Sequence, residues 1–181
     1  YGGLYREVWL DVRGADVIED VFVTTPTLTR AEIALTVSGT PASRRVTLLD
    51  AAGAVCAVTE GDDNKYYVNY SSARPWTLDE PNLYSIRAEL LDENGAVTDE
   101  KTVRFGFRTA EFRRSGFYLN GERVFLRGLN RHQCYPYMGY AAPEALQRED
   151  ARILKEELCC TAVRTSHYPQ SQHFIDACDE L

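Results

Sequence analysis

The spacing of the apolar residues changes near Arg108, and this change limits the folds that the 181-residue chain can adopt. Before that point, short segments rich in β-branched and aromatic residues alternate with turn-forming sequences, a pattern typical of β-strands. The predicted strands are 16–24, 31–38, 44–49, 84–91 and 98–107. Several short strands of this kind over about 90 residues indicate a β-sandwich of immunoglobulin-like type.

Turn-forming residues separate the predicted strands. Asn94-Gly95 lies between two apolar runs and predicts a hairpin, because a two-residue primed turn requires positive φ angles. Residues 60–64 combine glycine with acidic and amide side chains, which also favours a turn. We therefore expect a two-residue turn at 94–95 and a connecting turn at 60–64.

The second part of the chain predicts a strand, a helix, a strand and a helix, in that order. The strands are 123–129 and 161–165, one helix begins at Pro143, and the other covers 170–181. This is the pattern of parallel βα units, eight of which form a (β/α)8 barrel. The predicted fold class is therefore mainly β: an immunoglobulin-like β-sandwich followed by the first two βα units of an incomplete (β/α)8 barrel.

Both predicted helices carry apolar residues at helical spacing. The stripe of the first helix consists of Leu146, Ile153, Leu154 and Leu158. The apolar side of the second helix consists of Phe174, Ile175, Cys178 and Leu181. We expect these sides of the two helices to be buried.

Polar side chains follow both predicted barrel strands. Asn130-Arg131-His132 comes just past the end of the first strand, and Arg164–Pro169 lies at and past the end of the second. In a βα barrel these positions form the face where binding and catalytic groups gather. We therefore expect His132, Arg164 and His167 to face one mouth, where they could donate hydrogen bonds to sugar hydroxyls or position a catalytic carboxylate.

Structural roles are the alternative for these side chains. Arg164 could pair with Glu156 or Asp179 and serve packing alone. In the binding interpretation, aromatic rings could supply apolar walls for a sugar face, as ligand pockets combine a few polar groups with such walls. The candidate rings are Tyr135, Tyr137 and Tyr168.

Composition argues against two classes of partner. The formal net charge is −7 and no basic patch is evident, whereas nucleic-acid binding depends on clustered Lys and Arg. No apolar run reaches the roughly 20 residues that a membrane-spanning helix requires. We therefore expect no nucleic-acid partner and no membrane partner.

The five cysteines follow no disulfide framework, because their number is odd and no paired C-x-x-C motif is present. Free thiols favour a cytoplasmic location over a periplasmic one, although the sequence leaves the location open. A zinc site would have to use Cys134, His132, His167 and Cys178, whose spacing does not match that of known zinc sites. We expect no metal ligands in this chain.

Several stretches, in matching order, resemble glycoside hydrolases of family 2, of the β-galactosidase type. The start of the family's catalytic barrel is resembled by 117–132, 148–155, 162–169 and 178–181. Its middle sandwich is resembled by 80–84 and 104–108, and the close of its N-terminal jelly-roll domain by 2–6. The chain also lacks an initiator Met, so we expect it to be an internal fragment of a longer enzyme.

The resemblance implies three domain segments and an activity. Residues 1–15 would be the tail of an N-terminal jelly-roll sugar-binding domain, 16–109 the sandwich, and 110–181 the N-terminal part of the catalytic barrel. The activity would be that of a retaining hydrolase of terminal β-linked sugars, as in β-galactosidases, β-glucuronidases and β-mannosidases. The resemblance is also compatible with assembly of the protein into a homo-oligomer.

The resemblance also assigns roles to residues. Substrate binding is implied for Asn130, His132, Arg164 and His167, and Arg164 also matches the arginine that supports the surroundings of the family's nucleophile. No catalytic residue is expected here, because both catalytic glutamates of the family lie on later barrel strands. The fragment alone is therefore expected to be inactive and to hold no cofactor, with a divalent or sodium ion as an option for the full-length enzyme. The family's galactosidases have an acidic residue and histidines where this chain has Gln133-Cys134-Tyr135, which leaves the sugar open.

The alternative function is a non-catalytic immunoglobulin-like module that binds carbohydrate or protein. The sandwich could bind through loops such as 61–70. The sequence that resembles the start of a barrel speaks against it, because a binding module has no reason to contain that sequence.

Overall fold

A computed structural model describes residues 3–181 in two compact units. One unit contains Asp11–Glu111 and Tyr118–Glu122, and the other contains the residues up to Leu10, Phe112–Phe117 and Arg123–Leu181. Gly2, the first residue of the stretch that resembles a jelly-roll terminus, lies outside the described residues.

The first unit is a sandwich of two antiparallel sheets, as predicted. One sheet has the strand order β1-β2-β5 and the other β4-β3-β6-β7. The strands are β1 Val17–Thr27, β2 Arg30–Ser38, β3 Ser43–Leu49, β4 Val55–Gly61, β5 Lys65–Asn69, β6 Tyr84–Leu91 and β7 Val97–Phe105. The short strands and the two packed sheets are typical of the immunoglobulin-like class.

The core of the sandwich is formed by alternate residues of both sheets. In β2 the buried residues are Ala31, Ile33 and Leu35, and β6 contributes Tyr84, Ile86, Ala88 and Leu90 to the same core. Phe107 follows β7 and is fully buried, with its ring centroid 5.1 Å from that of Tyr84 and 5.0 Å from that of Phe105. This alternation places one face of each sheet in the core.

Strands β4 and β5 were not predicted from the sequence. Glu60 and Gly61, expected to belong to a turn, are the last residues of β4. This strand lies at the edge of its sheet, and none of its residues is fully buried, so its sequence need not alternate. The β5 strand is short, and only Tyr66 and Val68 face the core. Weak burial therefore explains why β4 escapes a prediction based on the spacing of apolar residues, and its length of five residues explains why β5 does.

The hairpin at Asn94-Gly95 is confirmed, but its turn is not the predicted two-residue one. The Asp92 N–H donates to Ala96 O (2.9 Å), and Gly95 N–H donates to Asp92 O (3.0 Å), so three residues form the connection. Gly95 alone has a positive φ there, +78°. The Asp92 carboxylate accepts the N–H groups of Asn94 and Ala96, each at 2.8 Å. These bonds favour a wider turn ending in a glycine bulge.

We expect Asp92→Ala to lower the thermal midpoint of the sandwich, because two N–H groups of the turn lose their acceptor. Hydrogen bonds from the backbone of Ala96 and then Asn94 hold the pKa of Asp92 below its ordinary value. The carboxylate therefore stabilises the fold above the ordinary pKa of about 3.9, and this stabilisation is lost as the pH falls through the lowered value. Thermal unfolding of wild type and Asp92→Ala between about pH 3 and pH 7 measures this.

Glu93→Ala is the matched control, since Glu93 is an exposed residue of the same turn. It should leave the midpoint unchanged at every pH. An Asp92→Ala protein as stable as wild type at pH 7 would contradict the role given to this carboxylate.

The chain next forms a small sheet of three strands in the order β10-β9-β8. These strands are β8 Ala110–Arg113, β9 Gly116–Leu119 and β10 Glu122–Val124. The single strand predicted at 123–129 is therefore wrong, because Val124 ends β10 and β11 begins only at Gly128. The apolar residues that made the run look continuous, Phe125 and Leu126, are exposed.

The second unit contains the order strand, helix, strand, helix. The elements are β11 Gly128–Arg131, α1 Glu144–Arg152 with a π-helical turn at Ile153–Glu157, β12 Ala162–Thr165 and α2 Gln172–Glu180. Strands β11 and β12 pair in parallel, with Gly128 beside Ala162 and Arg131 beside Thr165. The predicted βαβα order is therefore present.

The apolar stripes of the helices are only partly as predicted. Helix α1 buries Gln147 and Ala151, whereas Leu158 is exposed. Leu158 leaves the stripe because its N–H donates to Ile153 O, five residues back, and this π-helical bond shifts the angular spacing. In α2 the buried residues are Phe174 and Ala177, and Ile175 is exposed instead of buried.

Within residues 3–181, none of the helices combines the length and apolarity needed to cross a bilayer.

Candidate functional site

The ends of β11 and β12 lie side by side in the second unit. Asn130 is in register with Arg164, and Arg131 with Thr165. Asn130 and Arg131 are thus the last residues of β11 and not, as predicted, residues beyond its end, while His132 follows the strand. Parallel pairing places the chain segments that leave both strands at one edge, which is the edge that carries binding groups in βα folds.

The four predicted substrate-binding residues form two neighbouring pairs across these strands. The Nη1 group of Arg164 donates to Asn130 Oδ1 at 3.4 Å and to Ser166 Oγ at 3.3 Å. The rings of His132 and His167 are edge to face, with centroids 5.8 Å apart. All four predicted side chains are exposed, so their donors are accessible from solvent.

The packing alternative for Arg164 is wrong. Its hydrogen bonds go to Asn130 and Ser166 at the strand ends, and not to Glu156 or Asp179 on the helices. A guanidinium has five N–H donors, so one that bonds two neutral oxygens retains donors for a ligand. Arg164 is therefore suited to bind an oxygen-rich molecule.

Arg131 lies between Asn130 and His132 and has the opposite environment, because successive residues of a strand face opposite sides. It is buried, and its guanidinium donates to Asp150 Oδ2 through Nε at 2.9 Å and through Nη2 at 2.8 Å. Nη2 also donates to Gln147 Oε1 at 2.7 Å, and Nη1 donates to Gln170 Oε1. No role was predicted for Arg131, although the alternation of side chains along a strand separates it from Asn130 and His132.

Gln133 is buried as well, and it joins two further segments. Its Oε1 accepts the Ser171 N–H at 3.2 Å and the Nη2 group of Arg6 at 3.4 Å. Arg6 Nη2 also donates to Pro169 O at 2.7 Å. Gln133, which differs from the family's pattern, therefore holds other segments of the chain in place. Its side chain is buried, whereas His132 and His167 are exposed.

The three tyrosines predicted as sugar walls differ in environment. Tyr137 is fully exposed, and the Tyr168 ring packs edge to face on Tyr140 with centroids 5.5 Å apart. The Tyr135 hydroxyl donates to Leu146 O at 2.9 Å. Burial, and then the neighbouring Asp150 carboxylate, raise the pKa of Tyr135 to about 12. The Tyr135 hydroxyl therefore holds α1, and the role of its ring as a wall for a sugar stays a prediction.

The acidic residues of α1 form ion pairs with arginines. Glu149 pairs with Arg152 on the same helix, and Asp150 pairs with Arg131. Among residues 3–181 no three His, Cys, Asp or Glu side chains lie close enough together to hold a metal ion. Cys134, His132, His167 and Cys178 thus form no such group. All five cysteines are free thiols.

Comparison with known proteins gives matches along the whole length of the chain. A family model described as "Glycosyl hydrolases family 2" matches residues 17–108, and one described as "Glycosyl hydrolases family 2, TIM barrel domain" matches residues 110–181. A β-galactosidase of Thermoanaerobacter pseudethanolicus is 38% identical over all of this chain and 26% of its own length. A β-galactosidase of Thermoanaerobacterium thermosulfurigenes is 54% identical over 62% of this chain and 16% of its own.

Solved structures match in the same way. The β-glucuronidase 3 of Bacteroides uniformis superposes with a TM-score of 0.83 at 31% identity, covering 99% of this chain and 23% of that one. The chain thus spans about a quarter of the length of these relatives.

Proposed function

Because the chain belongs to glycosyl hydrolase family 2, we propose that it is part of a retaining β-glycosidase that removes a terminal β-linked sugar. The observation that carries this proposal is the pair of polar contacts exposed at the ends of β11 and β12. One contact joins Asn130 and Arg164, and the other joins His132 and His167. These strands are proposed to be the first two of an eight-stranded barrel, whose mouth would hold the sugar.

The proposed roles follow from the chemistry of the four side chains. A sugar presents hydroxyls that both donate and accept hydrogen bonds, and imidazole and amide groups can do both as well. Arg164 is a permanent donor, and it suits an oxygen that carries negative charge. His132 and His167 would contact ring hydroxyls, while Asn130 and Arg164 would bind at the adjoining edge.

The bond-breaking groups are proposed to lie outside the 181 residues. Retaining hydrolysis requires two carboxyl groups about 5 Å apart, one as nucleophile and one as acid and base. Neither 130–132 nor 164–169 contains Asp or Glu, and the α1 carboxylates Glu149 and Asp150 are engaged in ion pairs. No step of the proposed reaction uses a metal ion held by these residues. The sandwich at 16–109 and the segment 1–15 are proposed to be non-catalytic.

The substrate is proposed to be a β-galactoside, because the two bacterial relatives that are 38% and 54% identical to this chain are named β-galactosidases. The solved relatives named β-glucuronidases make a β-glucuronide the other substrate to test. Aryl β-galactosides and aryl β-glucuronides should be assayed with the full-length protein and with the 181-residue chain. We expect the full-length protein to hydrolyse one of the two aryl glycosides and the 181-residue chain to hydrolyse neither. Turnover by the 181-residue chain, or by neither protein, would overturn the proposal.

We expect His167→Ala to lower kcat/KM of the full-length protein by about 10- to 100-fold, the value of one hydrogen bond to a buried polar ligand. His173→Ala is the matched control, because His173 lies on α2 with its nearest charged groups, Glu7 and Glu144, both 3.7 Å away. The control should stay within about twofold of wild type, since such exposed pairs contribute little. Steady-state kinetics on the aryl glycoside measures both. Equal losses in the two variants would argue against a sugar contact for His167.

A further inference from the structure

We propose that Arg131 is a positioning residue, which acts through the loop Ser166–Ser171 to hold His167 beside His132, and that Arg6 assists it. Only the expected effect of Arg131 on turnover rests on the proposed function. The positioning itself is a property of the second unit, and all the contacts involved lie within that unit.

The loop that carries His167 is held at several successive points by three residues. Ser166 N–H donates to Arg131 O at 3.1 Å, and the Arg131 guanidinium donates to the Gln170 side chain. Ser171 N–H donates to Gln133 Oε1, and Arg6 donates to Pro169 O. Both ends of the loop are thus attached to the strand end that also carries His132.

Arg131 is itself held rigidly. Its side chain is buried, and three of its nitrogens donate to side-chain oxygens of Asp150, Gln147 and Gln170. The guanidinium also lies over the Phe174 ring, with 3.9 Å between its central carbon and the ring centroid. A planar group with five donors can satisfy these directions at once, whereas a lysine ammonium can match only part of them. Arg131 therefore joins β11, α1 and the start of α2 in one fixed geometry.

Arg131 cannot act on the sugar directly, because it is buried on the side of the helices. Its neighbours Asn130 and His132 are the exposed residues of this stretch. Any effect of Arg131 on turnover must therefore pass through the residues that it holds in place. The residue most directly concerned is His167, which lies between Ser166, bonded to the Arg131 backbone, and Gln170, bonded to the Arg131 guanidinium.

A purely structural role would destabilise the unit and lower activity regardless of His167. The two roles are separated by a double-mutant cycle in the full-length protein. The variants are Arg131→Lys and Arg6→Met, each alone and each combined with His167→Ala. Arg152→Met is the control, because Arg152 pairs with Glu149, Glu156 and Glu157 on the surface and does not bind the loop.

We expect Arg131→Lys to lower kcat/KM about 100-fold, the cost of a displacement of about 1 Å at a binding group. Arg6→Met should lower it about 10-fold, because it frees one point of the loop. In the His167→Ala background both losses should shrink to about threefold or less, since coupled residues are non-additive. Losses of the same size in that background would overturn the proposal.

Hydrogen exchange gives a second readout that does not depend on catalysis. Amides of Ser166–Ser171 should exchange at least about 10-fold faster in Arg131→Lys and Arg6→Met, while amides of the sandwich strands keep their rates. Unchanged exchange in the loop would overturn the proposal even if activity falls. If the wild-type protein hydrolyses neither aryl glycoside, the proposed function fails and the exchange result alone decides the positioning. If Arg131→Lys does not fold, Arg6→Met and Gln170→Ala provide the same two tests.

Discussion

Gly128→Ala is expected to separate β11 from β12 and to lower kcat/KM of the full-length protein by at least about 100-fold. A Cβ at this position would lie 1.9 Å from Ala162 O and 2.7 Å from Ala162 C, whereas ordinary contacts begin at 3.4 Å. Both obstructing atoms belong to the backbone, so no side-chain rotation can relieve the clash. The displaced strands would break the bonds that Thr161 and Ala162 N–H donate to Arg127 O. Kinetics on an aryl glycoside and thermal unfolding followed by circular dichroism measure the two effects.

Gly14→Ala serves as the control for this substitution, because no atom lies within 4 Å of a Cβ at Gly14. It should leave both activity and the unfolding midpoint unchanged. A Gly128→Ala protein with the activity of wild type would show that the two strands can move apart without disturbing the binding residues.

Phe107→Ala is expected to destabilise the sandwich by about 3–5 kcal/mol, the usual cost of removing a fully buried aromatic ring. The ring is wholly inaccessible and contacts Tyr84 and Phe105, so its loss leaves a cavity between rigid neighbours. Urea unfolding of the full-length protein, followed by fluorescence of Trp76 in the same unit, measures the loss.

Phe22→Ala is the matched substitution on the surface of the same unit, since Phe22 on β1 is 61% exposed. Its effect should stay within about 0.5 kcal/mol. A cost for Phe107→Ala no larger than that of Phe22→Ala would mean that the core closes around the missing ring.

The sandwich could be predicted from the sequence wherever a strand buries a full row of side chains. The β6 strand buries Tyr84, Ile86, Ala88 and Leu90, and its bounds match the prediction. The β4 strand buries none of its residues fully, and its edge position is decided by pairing with Arg44–Leu49 of β3. Such pairing joins strands across a turn, and the spacing of apolar residues along one strand does not reveal it.

The same distinction applies to the candidate site. The meeting of His132 with His167 follows from the parallel order of two strands, which the sequence predicted although it placed the bounds of the first strand wrongly. The roles of Arg6 and Gln133 could not be predicted, because their partners are separated from them by long stretches of chain. The split of 123–129 into two strands also escaped prediction, since Phe125 looks like a core residue and is exposed.

The bond between Arg6 and Pro169 has a consequence for the order of folding. Its partners are 163 residues apart in sequence, and those of the Arg6–Gln133 bond are 127 apart. The sandwich needs only the residues between them, so during synthesis it can form while Pro169 is still unsynthesised. Contacts of large sequence separation form late, because the entropy of closing the intervening chain must be overcome first. The contacts of Arg6 with Pro169 and Gln133 are therefore among the last to form, and the loop Ser166–Ser171 gains its full set of hydrogen bonds only at that stage.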